Sequence, residues 1–165
     1  MAYERLPQPL FWSNSTASYQ LNTTDRGSAS IYRAKKTGTI TQVGATFSRF
    51  GTSPTFRIGL ESLSSRLPSG TYLASGSGYA DVTDPPAGLR LLTLGSPVSV
   101  TKGDLYAVTV RYQSGSITSN LYLMDYFNAI DFSSLGIPYV ARLAGTWTAS
   151  VALPRICPVY SDGEL

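Results

Sequence analysis

A two-residue alternation of apolar and polar side chains, in short runs between Thr37 and Tyr112, constrains the fold of this chain most strongly. Residues 56–61 read Phe-Arg-Ile-Gly-Leu-Glu, and residues 105–112 show the same period. Because successive side chains of a β-strand point to opposite faces, this period predicts strands that bury one face. Gly, Pro, Ser or Asp closes the runs about every ten residues, a spacing typical of β-sandwiches and barrels. We therefore predict an all-β sandwich of two antiparallel sheets, with about nine or ten strands and almost no helix.

The phase of this alternation also predicts a β-bulge. Val43, Ala45 and Phe47 share one face of their strand. Ile40 is out of phase with them, so an extra residue near positions 41–42 is needed to return it to the buried face.

The faces of two other strands can be assigned in the same way. Both faces of residues 105–112 are rather apolar, which predicts a central strand of a sheet. Arg57 and Glu61 occupy the outer face of residues 56–61, where we expect them to be surface charges.

The segment 76–88 is rich in Gly, Pro and Asp, and is predicted to be a turn-rich loop. The remaining strands are predicted at residues 30–34, 71–75, 89–94, 98–100, 139–143, 146–148 and 156–160, and residues 18–21 and 121–125 are two further possible strands.

The chain is predicted to contain one domain preceded by an arm. Residues 1–29 include two prolines, which interrupt regular hydrogen bonding, and the large apolar side chains of Phe11 and Trp12. This N-terminal arm, with a possible short first strand, either packs across its own domain or docks on a neighbouring subunit. Residues 30–165 then form a single β-sandwich domain.

The composition argues against several classes of protein. Only 14% of the residues are charged and the formal net charge is +3, which is too small to predict nucleic-acid binding. No apolar run approaches the roughly 20 residues of a membrane helix, so we expect no membrane association. The opening sequence lacks a secretory signal pattern, which predicts folding in a cytoplasm. Cys157 is alone in the sequence and can form no internal disulfide.

Catalysis is not expected either. The chain has no histidine, the commonest general base and metal ligand, and it contains no nucleotide-binding or hydrolase motif. The acid pairs nearest in sequence are Asp81 with Asp84 and Asp125 with Asp131, in predicted loops where Asp normally serves turn geometry. Cys157 is predicted to be a buried, unreactive thiol. We therefore expect no enzyme activity, no cofactor and no metal ion.

Aromatic residues are the strongest candidates for contacts with a partner. The chain has 11 tyrosines, whose apolar ring and polar tip suit exposed sheet faces, subunit interfaces and sugar stacking alike. Trp147 lies between Gly145 and Ala149, in a setting typical of a loop tip. Three roles are open for it: closing the end of the sandwich, anchoring an interface, or stacking against a sugar.

Two groups of short motifs carry a resemblance to a known family. The first group is TGTI, PSGT-x-LA and PV-x-VT-x-GD-x-YAV-x-V, between residues 37 and 110. The second is Ile137-Pro138-Tyr139, Gly145-Thr146-Trp147-Thr148 and Tyr160-Ser161-Asp162-Gly163. Together they resemble a jelly-roll-like β-sandwich module of bacteriophage structural proteins, over about residues 15–163. The resemblance implies that the predicted sandwich is jelly-roll-like.

The same resemblance implies a non-enzymatic role in a phage particle, as a capsid decoration, head-fibre or tail-fibre module. It implies a homo-oligomer, with a trimer favoured, that contacts other virion proteins and is located in the virion after assembly in the host cytoplasm. The alternative is a carbohydrate-binding module, since similar sandwiches occur in secreted carbohydrate-active proteins and would bind surface glycans. The candidate contact residues for either role are Phe11, Trp12, Tyr139, Arg142 and Trp147.

Overall fold

The structure, a computed structural model, describes residues 17–21, 23–24, 26–48, 54–115, 123–128, 140–149, 152–154 and 156–163. These residues contain thirteen β-strands and one helical turn. The strands are β1 (Ala17–Gln20), β2 (Arg26–Arg33), β3 (Gly38–Ser48), β4 (Thr55–Ser64), β5 (Leu67–Tyr72), β6 (Tyr79–Thr83), β7 (Gly88–Val100), β8 (Leu105–Ser114), β9 (Leu123–Asn128), β10 (Val140–Ala144), β11 (Thr146–Ala149), β12 (Ala152–Pro154) and β13 (Ile156–Tyr160). The turn, α1 (Leu73–Gly76), is left-handed at Ala74 and Ser75, where φ is 51° and 54°.

The strands form two antiparallel sheets that pack face to face. In the six-stranded sheet, β1, β9, β3 and β13 are successive neighbours, while β12 pairs with β9 and β7 pairs with β3. In the seven-stranded sheet the order is β11-β10-β2-β8-β4-β5, and β6 also pairs with β4. The predicted all-β antiparallel sandwich with almost no helix is thereby confirmed.

The hydrophobic core lies between the two sheets. Phe47 of β3 and Phe56 of β4 bring their ring centroids within 5.3 Å of each other across it, and both side chains are buried. The hydroxyl of Tyr32 in β2 donates a hydrogen bond to the carbonyl oxygen of Ile156 in β13, and so joins the sheets directly. Burial of these apolar surfaces is the main favourable term in folding, and the ring contacts add specificity to it.

Two finer predictions about the strands are confirmed. The register of β3 against β7 shifts between Ile40 and Gln42, which is the predicted β-bulge, and Ile40 is fully buried beside Val43. The strand β8 lies between β2 and β4 in the middle of its sheet, as predicted. Ala107 and Val108, which point to opposite faces of β8, are both fully buried, so each face of this strand is covered.

The prediction of a loop over residues 76–88 is wrong, because this segment contains β6. The strand pairs with β4 in a regular antiparallel ladder, in which Asp81 stands opposite Arg57 and Tyr79 stands opposite Gly59. Gly59 makes this close pairing possible, since a Cβ atom there would lie only 2.6 Å from the carbonyl oxygen of Gly78. A long-range partner therefore imposes an extended backbone on a segment whose composition favours turns.

Two further boundaries differ from the prediction. The strand predicted at residues 71–75 ends at Tyr72, because α1 begins at Leu73. The strands predicted separately at 89–94 and 98–100 belong to one strand, β7, because its ladder with β3 continues on both sides of the bulge. Pairing partners decide these boundaries. The strand count exceeds the nine or ten expected because β6 and β12 were not predicted, and because the two possible strands form as β1 and β9.

Candidate functional site

The outer face of the seven-stranded sheet, away from the core, carries charged and aromatic side chains. Cα pairing places Arg111 of β8 opposite Arg57 of β4, and Arg57 opposite Asp81 of β6. The same pairing places Glu61 of β4 opposite Tyr72 of β5. Directly paired residues share a face of a sheet, so the register gathers these side chains on one surface. This surface, which we call the outer band, comprises Arg57, Glu61, Tyr72, Tyr79, Asp81, Thr109, Arg111 and Trp147.

Glu61 is the most deeply buried ionisable group of the outer band. The expectation that it is a surface charge is wrong, because its side chain is 0% exposed. Its Oε1 accepts hydrogen bonds from Arg111 Nε at 2.8 Å and from Thr109 Oγ1 at 2.9 Å. Its Oε2 accepts hydrogen bonds from Arg111 Nη2 at 2.8 Å and from the Gly70 amide at 2.9 Å. Donors therefore surround both oxygens. These hydrogen bonds offset the desolvation free energy that burial of a carboxylate costs.

Arg57 forms a second bidentate ion pair, with Asp81. The distances from Nε to Oδ1 and from Nη2 to Oδ2 are both 2.8 Å. The guanidinium also lies 3.9 Å from the ring centre of Tyr79, whose ring centroid is 5.1 Å from that of Tyr72. The side chains of Arg57 and Asp81 are 28% and 41% exposed, so this pair reaches solvent where the Glu61 carboxylate does not. The hydrogen bond that Arg57 donates to Asp81 raises the pKa of Arg57, which keeps the guanidinium charged.

Trp147 of β11 lies at the other side of the outer band. Its ring centre is 4.9 Å from the guanidinium carbon of Arg111, a cation–π contact. The ring is half-buried and packs against Ala29, Ile31 and Ala107, a small apolar cluster on the outer face of the sheet. Trp147 therefore covers part of the outer face of the sheet and does not lie at the end of the sandwich.

The outer band is electrically balanced. Arg57 and Arg111 stand directly opposite each other on neighbouring strands, a placement that destabilises a sheet when the charges are not compensated. Asp81 and Glu61 each compensate one of them in bidentate geometry. The surface presented to a partner consists of half-buried rings and one partly exposed ion pair, which suits hydrogen bonding and ring stacking.

A second surface lies on the outer face of the six-stranded sheet. Leu89 and Leu91 of β7 are 45% and 52% exposed. They border Gly44 of β3, where a Cβ atom would lie 2.8 Å from Cys157 Sγ and 3.1 Å from Leu91 Cδ2. The missing side chain at Gly44 lets Cys157 pack against the sheet, fully buried as predicted, and burial raises the pKa of its thiol to about 11. We call Leu89, Leu91, Gly44 and Cys157 the leucine strip.

The strand that carries the exposed leucines is also an edge strand of the described part of the chain. Among the described strands, β3 is the only one that pairs with β7. The other side of an edge strand presents backbone N–H and C=O groups that are free to pair with another strand. The leucine strip therefore adjoins a hydrogen-bonding edge.

Among the five residues predicted to make contacts, Trp147 is the one whose side chain the structure describes, and it joins the outer band. Phe11, Trp12 and Tyr139 lie outside the described residues. Arg142 lies in β10, between β2 and β11.

Six side chains of the two surfaces were not identified from the sequence: Tyr72, Tyr79, Thr109 and Arg111 of the outer band, and Leu89 and Leu91 of the leucine strip. Tyr79 and Asp81 are two residues apart, and this short alternation was a signal that β6 is a strand. The leucines gave no such signal, because apolar residues occupy most positions of residues 89–94 and either face could be the buried one.

The described residues contain no group of three or more Cys, Asp or Glu side chains arranged to hold a metal ion. Within the same residues, no helix has the length and apolar character required to cross a membrane. Comparison of the chain with protein-family models, with curated proteins and with solved structures gives no match.

Proposed function

We propose that this protein is a non-enzymatic structural component of a bacteriophage particle and that it acts through protein–protein contacts. The motifs that resemble capsid-decoration, head-fibre and tail-fibre modules support the location in a particle. The leucine strip is the observation that carries the mode of action, because an exposed apolar surface beside an open strand edge favours contact with another protein.

The energetic gain at the leucine strip fits a repetitive assembly. Burying a leucine completely contributes about 1.5–3 kcal/mol, so the half-exposed Leu89 and Leu91 together would contribute roughly 2 kcal/mol at an interface. One such contact is weak, but many identical contacts in a particle act together through multivalency. The low charged fraction, 14% of the residues, is compatible with many shallow contacts.

The proposed partners are further copies of this chain and other virion proteins, with assembly in the host cytoplasm. Nucleic acid and membranes are not among them. The net charge of +3 is too small to hold a nucleic acid, and the two surfaces described above have no concentration of unpaired positive charge.

Immunogold electron microscopy of intact phage particles tests this proposal. Antibodies raised against the recombinant protein are expected to label particles at a fixed position, on the capsid for a decoration or head-fibre protein and on the tail for a tail-fibre module. Particles that carry their other structural proteins but no label would contradict it.

A second candidate function, carbohydrate binding, is favoured by the grouping of rings and charges in the outer band. Tyr72 and Tyr79 lie 5.1 Å apart beside Arg57 and the partly exposed Asp81. Rings flanked by hydrogen-bonding groups are what sugar recognition requires. Binding to a glycan array that is lost in Tyr79→Ala and in Trp147→Ala would favour this function, whereas a wild-type protein that binds no glycan would exclude it for the glycans on the array.

A further inference from the structure

We propose that β7 pairs antiparallel with β7 of a second copy of this chain, about a two-fold axis near Leu91. The pairing would join two six-stranded sheets into one continuous sheet. This inference rests on the proposed function in protein contacts and names the partner and geometry of one such contact.

The backbone of β7 supplies the first argument. Among the described strands, residues 88–93 pair with β3 alone, in a ladder that runs from Gly88 opposite Phe47 to Thr93 opposite Gln42, and the backbone hydrogen bond from Ser96 to Ser77 lies beyond this segment. Along an antiparallel edge, alternate residues direct their N–H and C=O groups away from the sheet. These groups match another strand, so the edge selects a partner that is itself an exposed strand.

Within residues 88–93 this edge carries one of the features that usually prevent such pairing, the charge of Arg90 on the core-facing side opposite Ala45, while the bulge and Pro97 of β7 lie beyond this segment. Natural edge strands are protected by Lys, by inward-pointing charges, by Pro or by bulges. Residues 88–94 contain no proline or acid, and Arg90 is their one charged residue. Arg90 donates hydrogen bonds from Nε to the Pro86 carbonyl at 3.2 Å and from Nη2 to the Ala87 carbonyl at 2.9 Å. Its charge is therefore directed at its own loop.

The leucine strip supplies the argument for a second copy as the partner. A two-fold axis perpendicular to the sheet keeps the same face outward in both copies, so their outer faces become continuous. Antiparallel pairing centred on Leu91 places this residue opposite Leu91 of the other copy, with Leu89 next to the same contact. Leu89 and Leu91 of both copies, four half-exposed leucines in all, would then cover one another. Arg90 would be the one charged residue that each copy brings into the paired segment.

The size of the contact sets its expected strength. Stable protein complexes commonly bury about 1,200–2,000 Å² in total, and one edge pairing with its leucines falls below that range. We therefore expect a dimer that dissociates in the micromolar range, on the order of 1–100 μM. Repetition in a particle would compensate for this weakness.

Sedimentation velocity of the full chain over a concentration series tests the proposal. The wild type is expected to convert from monomer to dimer as concentration rises. Leu91→Lys, which adds the charge that protected edges carry, is expected to raise the dissociation constant at least tenfold. Leu105→Lys is the matched control, since Leu105 is also exposed, at 38%, but lies at the start of β8, and its dissociation constant should stay within twofold of the wild type.

Cysteine cross-linking gives a second readout, which traps a weak dimer covalently and reports which residues meet in it. Leu91→Cys should form an intermolecular disulfide on mild oxidation and Leu105→Cys should not, while the buried Cys157 should not interfere. Circular dichroism identical to that of the wild type verifies folding of each variant. A monomer throughout the concentration range, a trimer such as the phage resemblance implies, or a dimer equally sensitive to both lysine variants would overturn the proposal.

The test separates this inference from the function on which it rests. Immunogold labelling of particles by a protein that stays monomeric in solution would remove the β7 dimer and leave the structural role intact. A dimer that depends on Leu91 but is absent from particles would remove the structural role and leave the dimer intact.

Discussion

Arg111 binds the buried carboxylate of Glu61 in bidentate geometry, with both nitrogen–oxygen distances at 2.8 Å. Arg57, its direct neighbour across the sheet, binds Asp81 with the same geometry and the same distances. The two pairs differ mainly in exposure, since the Glu61 side chain is 0% exposed and that of Asp81 is 41% exposed. They form a matched comparison of a buried and a partly exposed ion pair in one sheet.

The buried pair should matter much more for stability than the exposed one. Arg111→Ala would leave the Glu61 carboxylate buried with only Thr109 and Gly70 as donors, and is expected to lower the free energy of unfolding by about 3 kcal/mol. Arg57→Ala releases Asp81 to solvent, and is expected to cost about 1 kcal/mol or less. Urea denaturation followed by fluorescence measures both values. Equal costs for the two variants would show that Glu61 is not buried as described.

Gly59 and Gly44 provide a similar comparison for close packing. A Cβ atom at Gly59 would meet the backbone oxygen of Gly78 at 2.6 Å, so Gly59→Ala must displace β6 and is expected to lower stability by at least roughly 2 kcal/mol. At Gly44 the nearest atoms belong to the side chains of Cys157 and Leu91, which can move more easily, and we expect about 1 kcal/mol. Thermal unfolding of both variants checks the order. A larger loss for Gly44→Ala would contradict the packing described for β6.

Much of the fold follows from the sequence because alternation reports directly on burial. The out-of-phase Ile40 located a β-bulge, and the two apolar faces of residues 105–112 located the central strand. Glu61 could not be predicted in the same way. Its position in the alternation places it on an outer face, but its burial depends on β8 and on β5, whose Gly70 amide binds the carboxylate.

The candidate surfaces were less predictable than the core for a related physical reason. Trp147 was identified because a tryptophan in a turn-like sequence is conspicuous, but its contact with Arg111 depends on the position of β11 at the margin of the sheet. Leu89 and Leu91 belong to a run in which nearly every residue is apolar, so the face left in solvent depends on the phase of pairing with β3. The alternation of apolar and polar residues along a strand shows which face is buried by the opposite sheet. The residues that stay exposed at the margin of a sheet depend instead on which strands pair there.

The thiol of Cys157 should be protected in the folded protein. Burial raises its pKa from 9.0 to about 11, which lowers the thiolate fraction near neutral pH by about 100-fold, and the sulfur is also covered. The rate of reaction with a disulfide reagent at pH 8 is therefore expected to be at least about 100-fold lower in the native protein than in denaturing urea. Similar rates in the two conditions would contradict the burial of this residue.

Stability should decrease at alkaline pH. Burial raises the pKa of Cys157 from 9.0 to about 11 and, with the nearby Glu61 carboxylate, raises the pKa of Tyr72 from 10.0 to about 12. Both groups are neutral when protonated, so the unfolded chain loses these protons first, and stability that is present below pH 9 is lost as the pH rises towards 12. Urea denaturation at pH 7, 9 and 11 measures the decline. Tyr72→Phe removes one of the titrating groups and should make the decline shallower, and an unchanged slope would contradict this assignment.

Quantitative mass spectrometry of purified phage particles tests the structural role most directly. We expect peptides of this chain in a fixed ratio to the major capsid protein, retained after density-gradient purification, with many copies if it decorates the capsid and few if it belongs to the tail. Absence from purified particles, together with recovery of the protein from the medium or the cell wall, would contradict the structural role and favour carbohydrate binding by the outer band.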